Sequence, residues 1–528
     1  MRKARVLTIA AAAMALIAAP AGAGSPQSEQ STTKGFRKAV TIDGIREHLV
    51  AFQSHADGPG GGSRVAGGPG FEASASYVRA RAQAAGYTVS DHFFEFLFNA
   101  DRTPPTFKQE SPDGTTYVDG VDFSSMTFSG STHVTAPVWA IDLVLPQAPT
   151  PGGTTSGCQA TDFTGMPAGS IALVQRGTCT FGEKEANAQA AGAVATIIFN
   201  DGGDANRVAA INGTLGGPGH GPALGTSLAI GQDLANGVAN GATGSTATVR
   251  IDRIEELRTT RNVIAESATG DANRVVVVGA HLDSVPRGGG IQDNGTGSAT
   301  ILEIAETLAA QERAPRNKLR FVWWGAEEFG LLGSRAYVAS LSEAERDRIA
   351  LNLNFDMLGS PNYVRFIYDG DNSSFPVGPD AQAGPAGSGE IERVFRDYFA
   401  AEGLAAAPTP FNARSDYGPF IAAGVGIPAG GLFTGAEGVK TAAQAGVYGG
   451  TAGQPFDQCY HLACDTIANV NLTGLDQMSD AAAHAVLHFA KRDLVANPLD
   501  DPAVVATPVG AGGGGGLHDD HDHEPADR

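Results

Sequence analysis

The 528-residue chain is short of cations, of cysteine and of long apolar runs. Lys and Arg number 36 against 56 Asp and Glu, leaving a formal charge of -20. That deficit excludes nucleic acid and an anionic membrane surface as partners, since both would repel the chain. Beyond the N-terminus no apolar stretch has the length needed to span a bilayer. What is present is a globular composition: 42% hydrophobic residues support a sizeable core, while 70 glycines indicate many loops. The length corresponds to two or three folded units.

The first residues run Met1-Arg2-Lys3-Ala4-Arg5, then an apolar stretch from Val6 to Ala19, then Ala21-Gly22-Ala23. Basic, apolar and small-residue segments in that order read as a secretory signal peptide over residues 1–23, so a soluble, extracellular mature protein is expected. In an oxidising compartment the four cysteines fall into two local pairs, Cys158 with Cys179 and Cys459 with Cys464. Residues 24–35 are polar and without periodicity, and are expected to be a flexible leader. Amphipathic patterns over 42–53 and 71–85 flank the glycine-rich "DGPGGGSRVAGGPG", and "YTVSDHFFEFLF" then reads as a strand. An N-terminal segment of a larger domain is thus expected over 36–131.

Between 132 and 250 the character changes to short apolar runs, Gly/Pro turns and few charges. "IALVQRGTCTFGEKEANAQAAGAVATIIFND" gives strand, loop, helix and strand, with no acid, base or nucleophile motif. Its Arg176, Gly177, Cys179, Phe181 and Ala191-Gly192-Ala193 resemble the protease-associated (PA) domain, which implies a non-catalytic, β-rich insert. From 251 to 497 strands and helices alternate. "RVVVVGA", "KLRFVWWG" and "ALNLNFDM" are nearly continuous apolar runs, as strands covered on both faces must be. Strand, helix, strand, helix, strand argues an α/β fold with a mainly parallel sheet and helices on both sides. Residues 498–528 lack periodicity and are expected to be a disordered Gly-rich tail, in which His518, His521 and His523 lie among aspartates as a solvated acidic stretch.

In open α/β sheets ligands collect beyond the carboxyl ends of the strands. After "RVVVVGA" comes His281, and Asp293 follows within "GIQDNGTGS". After "LRFVWWGA" come Glu327 and Glu328, and after "LNLNF" comes Asp356. Imidazole and carboxylate are the ligands of catalytic zinc, and one ion needs about three of them, so this edge with its surplus of donors calls for two Zn2+ ions. Asp293 is the candidate bridge and His461, in "QCYHLACDT", the candidate ligand completing the second ion. Glu328 is then a ligand, while Glu327, its side chain pointing elsewhere, is a candidate general base. His48, His55, His92, His133 and His220 are read as structural. So are His484 and His488, an i, i+4 pair lacking the glutamate of a His-Glu-x-x-His motif.

At these residues the chain resembles the secreted di-zinc aminopeptidases of metallopeptidase family 28, which include bacterial leucine aminopeptidases. "HLDS", "GIQDNGTGS", "WWGAEEFGLLGS", "NFDMLG", "ARSDYGPF", "GIPAGGLFTG" and "CYHLACD" occur in the family's order, from about residue 42 to 495. The resemblance implies a zinc-exopeptidase fold of the phosphorylase/hydrolase type and peptide substrates with a free N-terminus. It further implies one zinc on His281 and Asp356, another on Glu328 and His461, and Asp293 between them. Asp283 would orient His281, Tyr460 would support an oxyanion, and Arg414 would line the substrate pocket; Tyr417 stands where relatives often have histidine. The rival readings are a carboxypeptidase or glutaminyl-cyclase-like enzyme on the same scaffold, and a catalytically silent zinc-binding receptor.

Overall fold

A computed structural model describes residues 26–204, 207–378 and 380–499 of the chain. The expected signal peptide and most of the expected tail, with its three histidines, lie outside the described residues. Among the described residues fourteen strands form one continuous sheet. They are β1 (Thr88–Ser111), β2 (Thr116–Tyr117), β3 (Phe123–Ser125), β4 (Thr132–Ala140), β5 (Ile171–Gln175), β6 (Ala195–Phe199) and β7 (Ala223–Thr226). Then follow β8 (Gly241–Glu266), β9 (Asp271–His281), β10 (Asn317–Trp324), β11 (Ile349–Phe355), β12 (Phe366–Tyr368), β13 (Ala407–Thr409) and β14 (Ala429–Phe433). The helices that matter below are α1 (Pro26–Arg37), α2 (Ile42–Asp57), α3 (Pro69–Ala84), α4 (Phe181–Ala190), α5 (Leu228–Ala235), α6 (Thr296–Ala310), α7 (Leu332–Ser340), α8 (Ser388–Ala401) and α9 (Leu472–Lys491).

The apolar runs read from the sequence become β9, β10 and β11, which pair in parallel with each other and with β14, while β8 and β12 add antiparallel partners. Val276, Val278, Phe321 and Leu353 on one face, and Val275, Val277 and Val322 on the other, are all essentially inaccessible to solvent. Both faces of these strands are therefore covered, by α2, α3, α6 and α9 on one side and by α7 with Phe420 and Ile427 on the other. Burial at this density is the main favourable term holding the sheet, at roughly 25 cal/mol per Å² of apolar surface removed from water.

A second core lies at the far end of the sheet, where β4, β5, β6 and β7 pack Val138, Leu173, Ile197 and Leu224 against α5, and Val174 and Ile198 against Phe181 of α4. β8 joins the two. Its first half pairs with β4 and its last residues, Val263 to Glu266, with β10. β1 runs antiparallel to it throughout, from Thr88 opposite Glu266 to Ser111 opposite Thr246, so a long two-stranded ribbon carries the chain into the insert and back.

Two expectations need correction. Residues 26–37, most of which were assigned to a flexible leader, form α1. Phe36 is fully buried in the main core, Thr33 Oγ1 lies 2.8 Å from His484 Nδ1, and Arg37 bonds Tyr398 and Glu402. One buried aromatic and an arginine anchored to α8 hold a segment whose own sequence shows no periodic apolar face. The second correction concerns residues 103–131, read as part of the N-terminal peptidase segment. Phe107, Tyr117 and Phe123 enter the core of the insert, and β3 pairs with β7.

Candidate active site at the carboxyl edge of the sheet

The register of the parallel strands determines where the chemistry gathers. His281 is opposite Trp324 across β9 and β10, and Phe355 is opposite Leu432 across β11 and β14. His281 at the end of β9, Glu327 and Glu328 just past β10, and Asp356 just past β11 therefore emerge on one edge. Asp293 reaches the same place from the loop preceding α6, and His461 from the loop closed by the Cys459–Cys464 disulfide. Both disulfides pair as expected from the sequence, with Cα separations of 5.7 Å for Cys158–Cys179 and 5.3 Å for Cys459–Cys464.

All of the expected ligands converge. His281 Nε2 is 3.2 Å from Asp293 Oδ1 and 3.3 Å from Asp356 Oδ1, while His461 Nε2 is 3.2 Å from Asp293 Oδ2 and 2.9 Å from Glu328 Oε2. Asp293 thus presents one carboxylate oxygen to each histidine. The adjacent glutamates diverge: Glu328 faces His461, and Glu327 Oε2 lies 3.9 Å from His281 Nε2. Donor atoms of His281, Glu327 and Asp356 lie within 4.8 Å of one another, and so do those of His281, Asp293 and Glu328.

These groups are buried, and burial sets their protonation. It pushes the carboxyls of Glu327 and Glu328 upward, a trend opposed by His281 and His461 and reinforced by the neighbouring acids. Asp293 is the exception: despite its burial, hydrogen bonds to both histidines hold it well below the usual carboxylate range. Burial alone would lower both imidazoles, yet the carboxylates around them raise His281 and His461 well above the ordinary histidine value. Asp283 is pushed up to about 7 and Asp416 to about 8, again by burial first. Glu328 Oε1 and Asp356 Oδ1 are buried without a hydrogen-bond partner. The carboxylates of Asp293, Glu328 and Asp356 around two imidazoles, with unsatisfied oxygens among them, fit the donor set of two divalent cations.

A framework that the sequence did not reveal positions the ligands. Arg64, fully buried, donates from Nε to Gly289 O at 2.8 Å and from its terminal nitrogens to Leu282 O and Gly290 O. It clamps the turns after β9, and burial lowers its pKa to about 10. Asp465 accepts the main-chain N–H groups of Gln292 (2.7 Å) and Asp293 (3.0 Å), fixing the bridging candidate from below. Ser415 Oγ donates to Asp356 Oδ2 at 2.5 Å. Asn294 ties the same loop to β11 through Phe355 O and Met357 N. Asp283 does neighbour His281, but it is its main-chain carbonyl, 3.2 Å away, that meets Nδ1. Its carboxylate lies 3.8 Å from that nitrogen and accepts the N–H of Glu327. Apart from Asp283, each of these residues is an ordinary polar side chain without a spacing that marks it.

The cleft above this cluster is lined by Tyr460 and Arg414 as well as by Tyr368 and Phe433, whose rings lie 6.4 Å apart and nearly parallel. Tyr460 stacks on His461 with ring centroids 3.8 Å apart. Tyr417, by contrast, is buried behind the cleft wall, bonded to Asn412 and Ala413. From the insert, Asn212 Nδ2 comes within 3.3 Å of His461 Nδ1. His461, Ala326 and Met357 all have positive φ, so left-handed backbone geometry, costly for residues with a Cβ, clusters around the site.

Residues 262–486 match Peptidase family M28, and residues 135–234 match the PA domain. An aminopeptidase of Pseudomonas aeruginosa is 46% identical over 454 residues, which is 86% of this chain and 82% of that protein. Leucine aminopeptidase 2 of Trichophyton tonsurans is 38% identical over 470 residues, 89% and 88% of the two chains. Among solved structures, the aminopeptidase from Aneurinibacillus sp. strain AM-1 superposes with a TM-score of 0.63 at 26% identity, covering 89% of this chain and 99% of its own. BSAP, a zinc aminopeptidase from Bacillus subtilis, gives 0.59 at 25% identity, covering 87% and 98%. The chain therefore belongs to peptidase family M28 and carries a PA domain within it.

Proposed function

We propose that the chain is a secreted, di-zinc aminopeptidase that removes N-terminal residues from peptides. The observation that carries this reading is the position of Asp293, one oxygen 3.2 Å from each of two histidines that are themselves paired with Asp356 and Glu328. His281 and Asp356 would hold one ion, His461 and Glu328 the other, and Asp293 both. When bound, such ions activate water at neutral pH and polarise a carbonyl.

The remaining work falls to the chain's own groups. Glu327 is buried beside the cluster without belonging to the proposed ligand set, and a carboxyl with a raised pKa is suited to take a proton from the attacking water and return it to the departing amine. Tyr460, at the cleft wall next to His461, can hydrogen-bond the oxyanion that develops on the scissile carbonyl. The parallel rings of Tyr368 and Phe433 offer an apolar surface to the substrate's first side chain, which favours leucine-like residues. Arg414 lies on the same cleft wall, and a lone guanidinium is a poor clasp for a terminal carboxylate compared with a cluster of cations. That argues against a carboxypeptidase.

Zinc content and turnover should be measured together on the processed protein. Two equivalents of zinc, loss of aminoacyl-anilide turnover on removing them and recovery on returning them are expected. Amino-blocked dipeptides should resist cleavage while carboxy-blocked ones are hydrolysed; the reverse preference would establish the carboxypeptidase instead. A protein that binds zinc and turns over neither class would be the silent receptor.

A further inference from the structure

Away from the active site a second group of carboxylates converges. Asp369 and Asp371 lie in the loop after β12, and Glu392 comes from α8; one oxygen from each lies within 4.8 Å of the others. Asp369 is fully buried and Glu392 is 4% exposed. Asp369 accepts main-chain N–H groups from Ser373, Ser374 and Phe375, so the chain wraps around its carboxylate. Glu392 Oε1 meets Arg396 Nη1 at 3.3 Å, but Oε2 is buried with no hydrogen-bond partner. Burial together with the two aspartates pushes the Glu392 carboxyl up to about 7.

The charges do not balance within the protein. Among the described residues, Arg396 is the one cation that forms an ion pair with this trio, and its side chain is 54% exposed. The contrast is the cluster of His48, Glu303 and Glu306, where Arg81 bonds both oxygens of Glu306 at 2.6 Å. A buried carboxylate oxygen without a donor, on a side chain clustered with two more carboxylates, matches the all-oxygen coordination of a hard divalent cation with ligands at about 2.3–2.6 Å.

We propose that Asp369, Asp371 and Glu392 form a calcium site that fastens the loop after β12 to α8. The loop bears directly on the cleft. Asp369 follows Tyr368, and its N–H donates to the carbonyl of Thr409, another residue of the cleft lining. An ion at the loop therefore fixes the apolar wall against which the substrate side chain would rest. This second consequence rests on the aminopeptidase reading, whereas cation binding itself does not.

The test uses the full-length, zinc-loaded enzyme freed of calcium by gel filtration. With free zinc constant, adding CaCl2 to 100 times its Kd should raise Tm by on the order of 3 °C. Terbium should give tyrosine-sensitised luminescence that calcium competes away. Calcium should also lower KM for an aminoacyl anilide while leaving kcat nearly unchanged. D371N, at an exposed position, and E392Q should retain zinc content and calcium-free turnover but lose the Tm shift and the terbium signal. No calcium response in the parent enzyme, or an undiminished response in both variants, would overturn the site. A Tm response without a change in KM would keep the site and sever its link to the cleft wall.

Discussion

Glu327 and Glu328 are neighbours in the chain and opposites in surroundings, the first beside His281 and the second against His461. Replacing Glu327 with glutamine preserves volume and removes the proton acceptor. E327Q is expected to bind two zinc ions per chain and to lose about 10² to 10⁴ of kcat, measured with a leucyl anilide alongside metal analysis. Near-parental turnover would remove Glu327 from its assigned role. Asp465 acts at one remove, receiving the N–H groups of Gln292 and Asp293. In D465N an amide NH2 must face one of those donors, so the loop carrying Asp293 should shift. Zinc affinity is expected to fall about 10- to 100-fold with secondary structure intact, read by competition against a fluorescent chelator and by circular dichroism.

At the scale of elements, much of the site was legible because the fold converts strand ends into a common edge. Three apolar runs, each followed by His, Glu-Glu or Asp, were enough to place His281, Glu327, Glu328 and Asp356 together. Arg64 and Asp465 were not legible, since a buried arginine bonded to carbonyls has the same local sequence as a solvated one. The helix α1 was missed because the contacts of Phe36 and Arg37 with α8 and α9 are tertiary and leave no periodic trace. The opposite case is α9, whose His484 and His488 were read as structural and are held as such. Burial pulls His484 down to about 3 and His488 to about 4, whereas in the unfolded chain both titrate near 6.5. The unfolded state therefore gains protons first as pH falls, and stability present above pH 6.5 is lost down to about pH 4 for His488 and about pH 3 for His484. Each histidine should contribute about 1.4 kcal/mol of loss per pH unit in that window. Unfolding free energies from urea titrations at pH 7 and pH 5 should therefore differ less in the H484Q/H488Q variant than in the parent, by about 4 kcal/mol. An unchanged difference would mean the imidazoles charge freely in the folded state.

For the molecule as a whole, the ribbon of β1 and β8 makes the two cores one structural body. β8 pairs with β4 in the insert and with β10 in the peptidase sheet, and Arg253 on it pairs with Asp101 of β1 at 2.9 Å. Melting of either core must tear strands shared with the other. Loss of activity on heating and the calorimetric transition should therefore coincide, as independent probes of a cooperative transition do. A calorimetric peak for the insert well below the temperature at which activity is lost would show the cores to be independent.

The same ribbon places the outgoing and returning strands next to each other, with Asp101 directly opposite Arg253. Strand partners lie only about 5 Å apart, so the peptidase framework sees the whole intervening module as a hairpin loop of arbitrary length. Such a junction is a natural splice point: a foreign module whose own termini are adjacent could be grafted there without rethreading the catalytic sheet, and the enzyme's choice of which peptides reach the cleft could be rewritten from outside it.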